Sequence, residues 1–187
     1  MIAHAVGETV VAVQKSDRHE TFVRLIERFE SPLRRLAAAY LVQQGYREDL
    51  FQEIALAVWQ AIPNFRMESS ERTWLYRIAH NVAISFSATT HRQGRREEAL
   101  PEELDHPSPA VGAEQGLLQE EKRRALVDSI RHLAATDRQI ILLHLEGLSY
   151  AEIEEVSGLS ETAIATRLTR IRAKLKEEIL RREAGKP

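Results

Sequence analysis

Cysteine is absent from all 187 residues, which excludes a disulfide-stapled scaffold and any thiolate metal site. No apolar run approaches the roughly 18 residues of a membrane-spanning helix. Residues 1–20 lack the charged start and long apolar stretch of a secretory signal, so the expected compartment is the cytoplasm. A dominant charge is missing too: 26 Lys and Arg stand against 28 Asp and Glu, for a net charge of −2. Any nucleic-acid role must therefore rest on local patches. The histidines (His4, His19, His80, His91, His106, His132 and His144) are scattered, and none forms a metal-ligand pattern. No glycine-rich phosphate loop, nucleophile elbow or thiol nucleophile is present. Nothing positive supports an enzyme, a metal site or a cofactor, and strand signals are nearly absent.

What is there is helical periodicity. Phe22, Leu25, Ile26 and Phe29 form one apolar stripe, which Leu33, Leu36, Ala37, Tyr40 and Leu41 continue past Ser31-Pro32. That dipeptide reads as a helix start or a kink, and Gly45 as the end of the segment. A further helix is expected from about Arg47 to Ile62, stopped by Pro63. After a polar loop, Asn64 to Ser70, another carries Trp74, Leu75, Ile78, Val82 and Phe86. Periodicity then fails over a stretch holding Gly94, Pro101, Pro107, Pro109, Gly112 and Gly116, the composition of a linker. It returns with Leu117, Leu118, Leu126, Val127, Ile130 and Leu133. Thr136 with Gln139 suggests a capping box opening the next helix, which Gly147 closes. The expected architecture is all-α: a helical domain over 1–90, a linker over 91–116 and a second helical domain over 117–187.

The second domain carries the sharpest local signal. Ser149 and Glu152 make a capping box, Gly158 breaks the short helix, and Ser160 caps the next. Ile164, Leu168, Ile171 and Leu175 then recur at spacings of four, three and four. Two short helices joined by a glycine turn are the pattern of a helix-turn-helix. Arg167, Arg170 and Lys174 share one face of its second helix, with Arg172 and Lys176 beside them. Phosphates attract such cations, and Thr162, Thr166 and Thr169 can bond phosphates or base edges or meet a thymine methyl. The bland alternative is a solvated basic face.

Two further constellations lie in the first domain. Asp49, Gln52, Glu53 and Gln60 project from the outer side of its Arg47–Ile62 helix, as a docking surface or as carboxylates favoured near a helix start. Thr73, Arg77 and Asn81 recur every four residues opposite an apolar side, just after Arg72. Arg and Asn read base edges and phosphates, and a loop with apolar walls can receive an unstacked base. Trp74 fits a core position as well as a stacking platform. From these residues alone a dimeric helix-turn-helix regulator or a helical interaction protein would also serve.

Taken in order, the motifs resemble those of extracytoplasmic-function (ECF) sigma factors of the sigma-70 family, over about Phe22 to Leu180. Asp49-Leu50-Phe51-Gln52-Glu53 followed by Val58-Trp59 is similar to the family's segment for binding core RNA polymerase. Phe65, then Arg72-Thr73-Trp74-Leu75-Tyr76-Arg77-Ile78-Ala79-His80-Asn81, resembles the segment that opens and reads the −10 promoter element. Leu148-Ser149-Tyr150-Ala151-Glu152-Ile153 and Ile164-Ala165-Thr166-Arg167-Leu168 resemble its −35 recognition unit. The chain departs from the family pattern at Ala165, where a basic residue is common, and at Glu154 and Glu155, which make the turn more acidic. The stretch Ile84 to Thr90 is neutral where many members are dense in arginine, and basic residues resume only at Arg92, Arg95 and Arg96. A phosphate on that Ser/Thr-rich stretch would repel DNA or recruit those arginines.

The resemblance implies a non-catalytic initiation factor without cofactor. Its partners would be core RNA polymerase, promoter DNA and an anti-sigma protein, with no membrane insertion. It assigns Asp49, Leu50, Gln52, Glu53 and Trp59 to the polymerase. Phe65, Arg72, Thr73, Trp74, Arg77 and Asn81 go to the −10 element, and Thr162, Thr166, Arg167, Thr169, Arg170 and Lys174 to the −35 element.

Overall fold

The computed structural model describes residues 2–94 and 115–184, with side chains over 17–91 and 122–181. Among these residues it is helical, without a strand: α1 (Ile2–Tyr40), α2 (Gln44–Ala61), a 3-10 turn (Ile62–Asn64), α3 (Glu71–Gly94), α4 (Gln115–Arg131), α5 (Ala135–Leu145), α6 (Tyr150–Ser157) and α7 (Glu161–Ala184). The linker residues Pro101, Pro107, Pro109 and Gly112 lie outside the described residues, as do the side chains of Arg92, Arg95, Arg96, Leu117 and Leu118. Helix α3 runs to Gly94 and α4 begins at Gln115, so both ends of the expected linker are helical.

Helices α1, α2 and α3 pack through Leu25, Phe29, Leu33 and Leu36 of the first, Leu50, Ile54 and Val58 of the second, and Leu75, Tyr76, Ala79 and Ala83 of the third, all buried. Pro32 neither starts nor ends a helix; it lies inside α1. Proline costs a helix interior about 3 kcal/mol, but the buried stripe continues on both sides of it, with Phe29 before and Leu33 after. Burial of such side chains, at about 1.5–3 kcal/mol each, outweighs that cost. Gly45 likewise does not end the segment, because it sits in the first turn of α2. Past the end of α1, the carbonyls of Leu41 and Val42 accept from the Arg47 guanidinium instead.

One buried polar pair lies in this core. The Tyr40 hydroxyl and His80 Nδ1 are 3.1 Å apart. Burial raises the Tyr40 pKa and lowers that of His80 to about 3, so the hydroxyl donates to a neutral imidazole. A depressed histidine pKa means the unfolded chain binds the proton first. Stability is therefore complete above about pH 6.5 and falls as the pH drops toward 3, by about 1.4 kcal/mol per pH unit. Urea unfolding between pH 7 and 4.5 is expected to follow that slope, and His80→Phe is expected to flatten it. A variant with the wild-type slope would place the acid sensitivity elsewhere.

The second unit packs Ile130 and Leu133, Ile140 and Leu143 of α5, Ile153 and Val156 of α6, and Ile164, Leu168, Ile171 and Leu175 of α7. The Ser149–Glu152 capping box is formed in both directions. Gly158 ends α6 at φ 73, a left-handed conformation that favours glycine. Gly147 (φ 78) ends α5 as Leu148 N–H donates to the Leu143 carbonyl and Gly147 N–H to that of His144, the Schellman arrangement. The Thr136–Gln139 capping box does not form. The N-cap is Ala134, at φ −57 and ψ 149, which leaves Thr136 inside the first turn while Gln139 is buried.

Candidate nucleic-acid interface

Three surfaces hold the residues singled out by the sequence. On α2, Asp49, Gln52, Glu53 and Gln60 are exposed along one face, over the buried stripe of Leu50, Ile54 and Val58. Leu50 therefore supports that face from beneath and does not lie on it. Trp59 is half-buried under α1: its carbonyl accepts from Arg18 Nε at 3.1 Å and Nη2 at 2.6 Å. The Arg18 guanidinium stacks 4.1 Å from its ring centroid, and Phe22 meets it edge-on at 5.3 Å. It anchors α1 to α2. A residue not singled out from sequence, Leu56, stands 49% exposed among the polar groups of this face. Its spacing of seven from Asp49 could have revealed it.

On α3 the expected stripe divides. Arg77 and Asn81 are exposed, whereas Thr73 is 1% exposed and Trp74 is buried. Trp74 packs on Phe65 with centroids 4.7 Å apart, so it braces the preceding loop from inside and does not face solvent. Ser70 Oγ accepts from Thr73 N–H at 3.0 Å and fixes the start of the helix. Between them Met67 is 83% exposed at φ 56, a backbone region costly for a side chain of its size. No sequence pattern marked it. The hydroxyls of Ser87, Thr89 and Thr90 bond to helix carbonyls.

Thr73 and Arg72 are covered by the second unit. Glu146, at the end of α5, is the hub. Its carboxylate takes two bonds from Arg35, both 2.9 Å, and one from the Tyr76 hydroxyl at 3.2 Å. Its carbonyl accepts from Arg72. Burial beside this carboxylate raises the Tyr76 pKa. Glu152 is kept ionised first by the Ser149 backbone and side chain, and also by Arg72 and the Thr73 hydroxyl. Arg131 Nε donates to the Ala38 carbonyl at 2.8 Å, and Arg138 lies over the Tyr40 ring at 5.0 Å.

On α7 the side opposite the buried stripe presents Thr162, Thr166, Thr169, Arg170 and Lys174 to solvent, with Arg167 half-buried at its edge. The Thr166 and Thr169 hydroxyls donate to the Thr162 and Ala165 carbonyls at 3.0 Å, which turns their remaining lone pairs and methyls outward. Arg172 and Lys176 lie on another side, lining with Leu126, Ile141, Leu145 and Ile179 an apolar cavity of about 530 Å³. Arg172 approaches His144 Nε2 at 2.6 Å; burial and that cation hold His144 neutral. Among the described residues no cluster of His, Cys, Asp or Glu could hold a metal ion, and no helix is long and apolar enough to cross a membrane.

Comparison with known proteins follows the same division. A family model described as Sigma-70 region 2 matches residues 25–93, and one described as Sigma-70, region 4 matches residues 123–175. The ECF RNA polymerase sigma-E factor of Haemophilus influenzae is 30% identical over 177 residues, 91% of this chain and 93% of that protein. Its Escherichia coli counterpart is 31% identical over 180 residues, 91% and 92% of the two chains. Two solved structures share the fold at 22% identity. CnrH, in complex with the cytosolic domain of CnrY, aligns with a TM-score of 0.63 over 90% of this chain and 91% of that one. RpoE of Bartonella quintana, in complex with the anti-sigma factor NepR, aligns with a TM-score of 0.65 over 86% and 97%. With both sigma-70 regions matched in order and sigma-E relatives aligned along most of its length, this chain belongs to the sigma-70 family as an RNA polymerase sigma factor of the extracytoplasmic-function class.

Proposed function

We propose that residues 1–90 dock on core RNA polymerase and hold the −10 element, that 117–187 read the −35 element, and that the segment between them sets the spacing. The observation that carries this reading is the α7 face, where threonines and cations stand exposed opposite a fully buried apolar stripe. A helix offered in that way fits the major groove. The polymerase contact is the exposed α2 face of Asp49, Gln52, Glu53 and Leu56, with Leu50 and Trp59 shaping it from behind. Arg77, Asn81 and the loop bearing Met67 take the −10 strand. Met67 and the edge of Phe65 supply an apolar wall for an unstacked base, which offsets an unstacking cost of a few kcal/mol. Arg72 joins only once the second unit leaves α3, because the Glu146 carbonyl holds it otherwise, and the same step opens Thr73, which is buried with its hydroxyl 2.8 Å from Ser70 Oγ. Linking two modest sites raises affinity without new contacts.

The role is non-catalytic and cytoplasmic, since the polymerase performs the chemistry and this chain supplies the address. An anti-sigma protein is the natural second partner. The acidic α2 face and the apolar cavity between α4, α5 and α7 offer it ground on both units. The test is reconstitution with bacterial core polymerase, followed by run-off transcription from a promoter that the wild-type holoenzyme selects out of random-sequence DNA. A stable complex with a defined transcript is expected. Tight, salt-dependent duplex binding by the free chain with no polymerase complex would instead identify a conventional helix-turn-helix regulator.

A further inference from the structure

The two arginines of the α7 face converge on one carboxylate. Arg167 Nη1 donates to Asp137 Oδ1 at 2.8 Å, and Arg170 Nη2 reaches both oxygens at 3.3 and 3.4 Å. The Asp137 side chain is 16% exposed, against 36% for Arg167 and 66% for Arg170. The carboxylate therefore lies at the root of the cation pair, away from the approaching duplex. It stands in the first turn of α5, where the helix dipole favours an ionised carboxylate. Arg167 and Arg170 occupy the next helix but one, so the contact spans the full helix-turn-helix unit.

From this arrangement we infer that Asp137 is a specificity-determining positioning residue for duplex recognition. It acts through Arg167 and Arg170 and rests on the reading of α7 as the −35 helix. Two effects follow from its charge. A guanidinium carries five N–H donors. Each arginine spends only part of its fork on Asp137, so the remaining donors are aimed before DNA arrives and less ordering is needed on binding. The carboxylate also lowers the net charge of the trio from +2 to +1, which weakens attraction to phosphate on any sequence. Non-specific binding loses charge, while directed base contacts gain orientation. Both effects raise the ratio of specific to non-specific affinity. Asp137 touches no DNA itself in this arrangement and is not one of the direct readers.

The test uses the full-length chain in reconstituted holoenzyme. Its probes are a duplex promoter selected by the wild-type holoenzyme and the same duplex with a scrambled −35 element. Asp137→Asn keeps the shape and removes the charge. It is expected to strengthen binding of the scrambled duplex, steepen its salt dependence by roughly one phosphate contact, and lower the promoter-to-scrambled ratio about tenfold or more. Asp137→Glu restores the charge and is expected to bring the ratio back to within about threefold of wild type. A purely structural aspartate predicts otherwise: both variants would weaken both probes by one common factor, and that result would overturn the inference. Arg167→Ala with Arg170→Ala is the control. If that variant binds both probes as the wild type does, the −35 reading of α7 has failed. If it loses the promoter while Asp137→Asn keeps the wild-type ratio, only the role of Asp137 has failed.

Discussion

Replacing Arg167 and Arg170 together by alanine is expected to abolish −35-dependent initiation while leaving capture of core polymerase intact. Each well-formed base or phosphate contact contributes about 1–3 kcal/mol. Losing two should weaken promoter binding by the holoenzyme between about 30-fold and 25,000-fold. The salt dependence of binding should also flatten by roughly two phosphate contacts. The fold should tolerate the change, because both side chains reach solvent and the stripe holding α7, Ile164, Leu168, Ile171 and Leu175, is untouched. Asp137 loses its partners but remains partly open to water, so the stability cost should stay near that of a surface ion pair, about 1 kcal/mol or less. Run-off transcription and thermal melting on the same preparations separate the two. An unchanged transcript level would remove α7 from promoter recognition, and a collapsed melting temperature would make the loss uninformative about DNA.

The opposite phenotype is expected from Asp49→Ala combined with Gln52→Ala and Leu56→Ala. These three stand exposed along one side of α2, and Leu56 is the apolar residue among polar neighbours, the composition of an interface centre. Truncating a cluster of this kind commonly costs 2 kcal/mol or more, so affinity for core polymerase should fall about 30-fold or more. Stability should change by no more than about 0.5 kcal/mol per site, since none of them supports the core. Competition against the wild-type chain for a limiting amount of core enzyme gives the number directly. Equal competition would sink the assignment of this face. Weak competition with normal promoter binding, once enough holoenzyme has been assembled, would establish that docking and reading are carried by separate surfaces.

Much of this was legible without coordinates, and the reasons are local. Ser149 and Glu152 stand three apart before an apolar stripe, and a capping box needs no distant partner to form. Gly158 and Gly147 end their helices because a left-handed residue is cheapest without a side chain. The Ile164–Leu175 periodicity buried its stripe and left Arg170 and Lys174 outside. Of the two readings of Pro32, a helix start or a kink, the start fails where local rules compete with packing: the proline costs a few kcal/mol, and the continuous stripe around it is worth more. Thr136 misled for the same kind of reason, since Gln139 is drawn into the core and the helix begins two residues earlier than the pair would require.

The sequence by itself determined the all-helical architecture, the two units, the helix-turn-helix and the two exposed faces on α2 and α7, because periodicity, capping and charge on a helix are set by residues within a few positions of one another. Only the tertiary structure decided which functional candidates reach the surface. Trp59 and Trp74 became braces once Arg18, Phe22 and Phe65 closed on them. Arg72 was tied down because Glu146, more than seventy positions away, met α3, while Thr73 was buried beside it with its hydroxyl on Ser70. Asp137 came to hold Arg167 and Arg170 across a separation of 30 and 33 residues. Such contacts depend on how whole helices cross, and the strength of a charge pair depends on the burial that this crossing creates.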